Sequence, residues 1–213
     1  MQPLLHLDRV VMPPPLGRSP LTLSIQPGER WAFLGPEACG KSTLLRLLAG
    51  LQAPAAGVIR LENKPLPQWS DQERSRLLGV LFQDPEPRFL TQQVWEEVAL
   101  VPASRGMTGS QLDRHCHAAL LQAGLSPALA RRSPDTLSAS QCARLALAAV
   151  LAATPRLLLA DEPGRDLAPD GELALAATLQ NLTHSGTTTV IFTSHPIRAQ
   201  RFASTIIPLD PPA

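Results

Sequence analysis

Gly35-Pro-Glu-Ala-Cys-Gly-Lys-Ser-Thr43 has the composition and spacing of a phosphate cradle, G-x-x-x-x-G-K followed by Ser or Thr. Gly35, Pro36, Glu37, Ala38, Cys39 and Gly40 make the loop, and its backbone N–H groups are expected to turn toward phosphate oxygens. The start of an apolar helix adds the positive end of its dipole. Lys41 contributes a point charge at the outer phosphates, and the Ser42 hydroxyl is a Mg2+ ligand candidate. The context suits the chemistry. A strand, Trp31-Ala-Phe-Leu34, runs into the loop, and Ser42-Thr-Leu-Leu-Arg-Leu-Leu-Ala49 follows at helical spacing.

A second reactive cluster lies far along the chain. The apolar run Leu157–Ala160 ends in Asp161-Glu162. Carboxylates at the C-terminal edge of a parallel strand stand where nucleotides bind in such sheets. Asp161 is placed to hold Mg2+, directly or through water, and Glu162 to polarise an attacking water.

The elements that must position these groups follow from pattern. Leu4–Val11 and Leu21–Ile25 read as strands bounded by Pro13-Pro-Pro15 and Pro27-Gly28. Helix Lys41–Leu48 leads to strands at Val58–Leu61 and Gly79–Gln83, with Ser70-Asp-Gln-Glu73 as a capping box between them. From about Glu86 to Thr136 helical periodicity dominates, as in Gln111–Ala123. Helix Gln141–Ala153, strand Arg156–Asp161, a helix over Asp170–Leu182, strand Thr188–Thr193, a helix near Arg198 and strand Ser204–Ile207 complete the chain. The runs Leu157–Ala160 and Thr189–Phe192 fit strands buried on both faces of a mostly parallel sheet. The expectation is one α/β domain with a P-loop core over 1–85 and 137–213, N-terminal antiparallel strands, and an inserted helical subdomain over 86–136.

Composition narrows the partners. The net charge of +1 and the absence of a basic stripe argue against nucleic acid. Met1-Gln-Pro-Leu-Leu-His-Leu-Asp8 lacks the charged and apolar regions of a signal peptide, and the apolar stretch Leu145–Ala153 is too short to cross a bilayer. Cys39, Cys116 and Cys142 are odd in number and widely spaced, which indicates neither a disulfide framework nor a zinc site. On a helix His115 and His117 point about 200° apart, so His115-Cys116-His117 cannot hold one ion. Cys39, inside the cradle, is expected to react with thiol reagents and to be shielded when nucleotide binds.

Three further elements complete a pattern. Gln83 ends a strand before the helical insertion, Leu137-Ser-Ala-Ser-Gln141 opens a helix before the Asp161 strand, and Ser194-His195 follows the next apolar strand. In this order the motifs resemble those of the ATP-binding cassette (ABC) ATPases, over nearly the whole chain. Phe82-Gln-Asp-Pro-Glu-Pro-Arg-Phe-Leu90, Val94-Trp-Glu-Glu-Val-Ala99 and Arg132-Ser-Pro-Asp-Thr-Leu-Ser138 are similar to segments of the ATPases of energy-coupling-factor importers for vitamins, cobalt or nickel.

The resemblance implies a RecA-like P-loop fold that hydrolyses ATP with Mg2+ to drive uptake. It implies that Lys41, Ser42 and Thr43 bind phosphate and metal, that Gln83 senses metal and lytic water, and that His195 contacts the γ-phosphate. Ser138 and Gln141 would serve the nucleotide of a second ABC ATPase in a head-to-tail homodimer or heterodimer. The Gln83 loop and helical subdomain would receive a membrane subunit, with Arg88, Phe89 and Leu90 as contact candidates. The implied location is the cytoplasmic face of the membrane.

The chain departs from that pattern in several places. Ala139 and Ser140 replace the two glycines of Leu-Ser-Gly-Gly-Gln, and Ala168 replaces the aspartate of the segment after Glu162. Ala38 replaces a P-loop glycine, at a cost on the order of 1 kcal/mol if it needs positive φ. The adenine-stacking aromatic should fall near Pro13, and the chain has no tyrosine; Leu16 or Arg18 would cover the base instead. Two alternatives accompany the transport reading: a degenerate subunit that binds ATP but hydrolyses it weakly or asymmetrically, and a soluble ABC protein outside transport.

Overall fold

The sheet that carries the reactive residues forms because its strands have no polar face. In the computed structural model, which describes residues 2–14, 19–83, 89–165 and 167–209, the run Leu157–Asp161 is buried at every position, and so is Thr188–Thr193. Such strands must sit inside a sheet covered on both sides.

In chain order the elements are β1 (Leu5–Val11), β2 (Leu21–Ile25), β3 (Arg30–Leu34), α1 (Lys41–Leu48), β4 (Ala56–Leu61) and β5 (Lys64–Pro65). There follow α2 (Asp71–Leu77), β6 (Leu78–Leu81), α3 (Val94–Ser104), α4 (Gly109–Gln122) and α5 (Ala139–Ala152). The last are β7 (Leu157–Asp161), α6 (Pro169–His184), β8 (Thr188–Thr193), α7 (Pro196–Phe202) and β9 (Thr205–Pro208).

Two compact units result. The first comprises Met1–Phe82, Arg156–Pro163 and Leu179–Ala213. It holds a parallel sheet in the order β6-β7-β8-β3-β9 and an antiparallel sheet in the order β2-β1-β4-β5. Register in the parallel sheet sets Phe33 beside Phe192, and the rings stack with centroids 5.3 Å apart. One apolar core joins Leu5, Leu7 and Ile59 of the antiparallel sheet to Leu44, Leu45, Leu47 and Leu48 of α1 and to Leu157, Leu159, Val190 and Phe192. This core packs α1, and with it the loop before α1, against β7 and β8. The Ser70–Glu73 capping box opens α2 as the sequence predicts: the Ser70 hydroxyl accepts from Glu73 N–H and the Glu73 carboxylate accepts from Ser70 N–H.

The second unit comprises Gln83–Pro155 and Gly164–Thr178, wider than the 86–136 read from sequence. The reason is α5, which packs on both α3 and α4 and buries Leu145, Ala148 and Leu151. Its C-terminal carbonyls are met by donors from those helices: Arg105 Nη1 to Ala153 O at 2.6 Å, and His115 Nε2 paired with Ala152 O at 2.8 Å. His117 instead pairs with the carbonyl of Asp113 in its own helix. The two histidines therefore serve different carbonyls. Gln83, expected to end the strand Gly79–Gln83, lies beyond β6 and is exposed.

Candidate functional site

The phosphate loop is built by close packing at one end and by positive φ at the other. Gly35 N–H donates to Thr193 O at 3.1 Å, and a Cβ on Gly35 would come within 2.5 Å of both Cys39 Sγ and Leu209 O. Only glycine fits there. Ala38 has φ 60° and Gly40, the N-cap of α1, has φ 90°. The sequence-level condition on Ala38 is met, so its strain of about 1 kcal/mol is present. Pro36, Glu37 and Ala38 are exposed, and Cys39 is fully buried. This corrects the expectation for Cys39. Its sulfur is buried beside Gly35 and is shielded before any nucleotide arrives.

Lys41 is buried and donates to Gly35 O and Pro36 O, both at 2.8 Å, with Glu162 Oε1 at 3.9 Å. Ser42 Oγ donates to Asp161 Oδ2 at 2.7 Å. Asp161 Oδ1 is buried with no hydrogen-bond partner. Burial pushes the Asp161 carboxyl above its ordinary value of 3.8, and the Glu162 charge adds to the rise; the Ser42 hydrogen bond and the charges of Lys41 and Arg46 oppose it. A hydroxyl, a carboxylate and an orphaned carboxylate oxygen, beside a phosphate loop, form the hard oxygen set that Mg2+ takes with one or two carboxylates plus phosphates. The residues present therefore fit a Mg–nucleotide.

Glu162 is held differently. It is buried and has φ 46°, a left-handed conformation that costs a non-glycine residue about 1–3 kcal/mol. Its N–H donates to Phe192 O at 2.8 Å. Its carboxylate accepts from Ser194 N–H at 2.6 Å and from Thr193 Oγ1 at 2.9 Å. His195 is exposed at the N-cap of α7, and its N–H donates to Thr193 Oγ1 at 3.1 Å.

The first unit thus gathers Lys41, Ser42, Thr43, Asp161, Glu162 and His195. Thr193 also belongs to this group and was missed; its one sequence signal is its place directly before Ser194-His195. Gln83, Ser138 and Gln141 belong to the second unit. There Ser138 and Gln141 form a reciprocal capping box at the start of α5, with Ala139 and Ser140 in its first turn. Ala168 is exposed, and its carbonyl accepts from Glu172 N–H in α6. Leu90 is 84% exposed while Glu97 fixes its N–H, and Phe89 is half-buried. Pro13 is half-buried; Leu16, Arg18 and Arg88 lie outside the described residues.

A parallel sheet with a P-loop at the end of one strand and an Asp-Glu pair at the end of another defines a P-loop nucleotide-binding fold. Residues 19–165 match the ABC transporter family, and the chain belongs to that family. It is 34% identical over 177 residues to the energy-coupling factor transporter ATP-binding protein EcfA2 of Symbiobacterium thermophilum, covering 82% of this chain and 61% of that protein. It is 32% identical over 212 residues to EcfA1 of Enterococcus faecalis, covering 97% of this chain and 76% of that protein. A dimeric ATP-binding cassette solved in a post-hydrolysis state with ADP and Pi superposes with a TM-score of 0.85 at 27% identity, covering 96% of this chain and 94% of that one. The chain therefore spans about three-fifths of the length of the first relative. Among the described residues no helix is long and apolar enough to cross a membrane.

Proposed function

We propose that the chain is an ATP-hydrolysing subunit, a single ABC ATPase domain with a helical subdomain, that energises a membrane importer of a vitamin or a transition-metal ion. The observation that carries this reading is the Ser42–Asp161 pair with its orphaned Asp161 oxygen, set between the phosphate loop and the buried Glu162 carboxylate. Bound Mg2+ would neutralise charge on the β- and γ-phosphates. Ser42 and Asp161 would hold it, and Gln83 would sense it together with the lytic water. The loop Gly35–Thr43 would wrap the phosphates, with Lys41 released from its two carbonyls to reach the outer ones. Glu162 would accept a proton from the attacking water, and His195 would contact the γ-phosphate. Ser138 and Gln141 would complete the site of a second ABC ATPase. A membrane subunit would dock at the Gln83 loop and helical subdomain, including Leu90, and the chain would then sit at the cytoplasmic face of the membrane. The printed names of the relatives support ATP binding and a transporter, and that of the solved cassette supports a dimer.

A second reading, a subunit of weak or asymmetric hydrolysis, is favoured by the side chains of Ala139 and Ser140 in the first turn of α5. The test is Glu162→Gln against Lys41→Ala with Mg-ATP. Glu162→Gln should bind a fluorescent ATP analogue as wild type does and lose about 10²–10⁴-fold in turnover. Lys41→Ala should lose several-fold in affinity, since charge-assisted bonds to phosphate are among the stronger ones. Equal affinity in Lys41→Ala, or unchanged turnover in Glu162→Gln, defeats the assignment.

A further inference from the structure

Glu162 adopts a backbone conformation that persists only where its surroundings over-determine it. Its N–H is tied to Phe192 O, one carboxylate oxygen to Ser194 N–H, and the other to the Thr193 hydroxyl. The first two ties come from the backbone of β8 and the residue after it. Among the described residues, Thr193 supplies the side-chain hydroxyl that hydrogen-bonds this carboxylate, and Thr193 is itself fully buried. A hydroxyl donates one proton and accepts on its lone pairs. Thr193 uses both capacities: it donates to Glu162 Oε2 and accepts from His195 N–H. One side chain therefore joins the carboxylate after β7 to the backbone of the histidine after β8.

The geometry points to Thr193 as a positioning residue that aims the Glu162 carboxylate and registers it against His195. This rests on the reading of Glu162 as the proton acceptor for water. Thr193 itself need not touch nucleotide; it sets the direction of the carboxylate and occupies one of its lone pairs, Ser194 N–H takes another, and the rest are left for water. A misplacement of about 1 Å in such a group costs up to about 10²-fold in rate without changing what the phosphate loop binds.

The test compares Thr193→Val, which keeps shape and burial but removes the hydroxyl, with Thr193→Ser, which keeps the hydroxyl. In the purified chain with Mg-ATP, Thr193→Val should lose about 10–10²-fold in kcat with KM and ATP-analogue affinity unchanged. Thr193→Ser should restore most of the rate. A second measurement uses no nucleotide. Thermal unfolding of Thr193→Val, Glu162→Ala and the double variant forms a cycle, in which the Thr193→Val loss should shrink once the carboxylate is gone. Should Thr193→Val fail to fold, Thr193→Ala takes its place in both experiments. Wild-type kcat in Thr193→Val overturns the inference, as does a Thr193→Val stability loss that is undiminished in Glu162→Ala. If the purified wild-type chain neither turns over ATP nor binds the ATP analogue, the functional reading falls, and the nucleotide-free cycle alone decides whether Thr193 holds Glu162.

Discussion

The three cysteines show how much burial decides at the scale of single residues. Cys39 and Cys116 are fully buried, whereas Cys142 is half-buried. Burial pushes the Cys116 thiol from its ordinary 9.0 up to about 11, and the Asp113 charge adds to the rise; burial, with Asp135, also raises Cys142. Maleimide labelling of the native chain should therefore modify Cys142 first and leave Cys39 and Cys116 slow, with or without Mg-ATP. Mass spectrometry of the labelled peptides checks this, and fast labelling of Cys39 without nucleotide would show an open phosphate loop. The same shift has a consequence for stability. Above pH 9.0 the unfolded chain ionises Cys116 while the fold keeps it protonated up to about 11. The fold then binds more protons than the unfolded chain, so stability falls as pH rises through that window. The loss is on the order of 2 kcal/mol, and Cys116→Ala should remove this alkaline component from melting curves recorded between pH 8 and 11. None of this could be read from a position in the sequence. The Cys39 sulfur lies beside Gly35 in a buried place that Leu209, far along the chain, also borders.

At the scale of elements, local punctuation decided what was legible. Helix α1 spans the Lys41–Leu48 expected, because Gly40 opens it in the left-handed region and Gly50 follows its end. Strands β2 and β8 also match residue for residue, since each is a β-branched or apolar run between turn residues. Helix α3 was not separated from its surroundings: Pro102 lies inside it, which breaks the usual signal of a helix interior. Strand β5 is two residues long and depends on pairing with β4, so it has no periodicity to detect. Thr193 escaped because its partner, Glu162, lies 31 residues away and reaches it through a positive φ. Helix α5 gives a test at this scale. Its first turn is organised by the Ser138–Gln141 box, and Ala139 and Ser140 are good residues there. The double change Ala139→Gly, Ser140→Gly should cost about 1–2 kcal/mol of helix stability, seen as a melting point lower by about 2–8 °C in the nucleotide-free chain. If the side chains obstruct a partner's γ-phosphate, the same change should raise ATPase turnover despite the lost stability. A turnover that stays flat or falls would show that Ala139 and Ser140 are accommodated, and the degenerate reading would lose its support.

The whole molecule is nearly neutral, with a net charge of +1, and among the described residues buried charge is gathered at one place, where Lys41, Asp161 and Glu162 meet. Asp161 carries an unpaired buried oxygen there, a cost to the fold that a bound cation would relieve. Ligand binding should therefore show in global stability. A ligand at 100 times its Kd stabilises a fold by about 2.7 kcal/mol, which in a chain of 213 residues corresponds to about 5–10 °C. Mg-ATP should raise the melting point of wild type and of Glu162→Gln by this amount, and that of Lys41→Ala by much less. The oligomer should respond only where hydrolysis is blocked. With Mg-ATP, Glu162→Gln should elute from a sizing column at twice its 22.9 kDa if two copies of this chain close on two nucleotides. Elution at 22.9 kDa together with the full thermal shift has a different meaning. Nucleotide would then bind the first unit while the surface around Ser138 fails to close on a second copy. On the proposed reading the second cassette would then be another chain, and the Ala139–Ser140 turn would mark the side of that dimer where the weaker site lies.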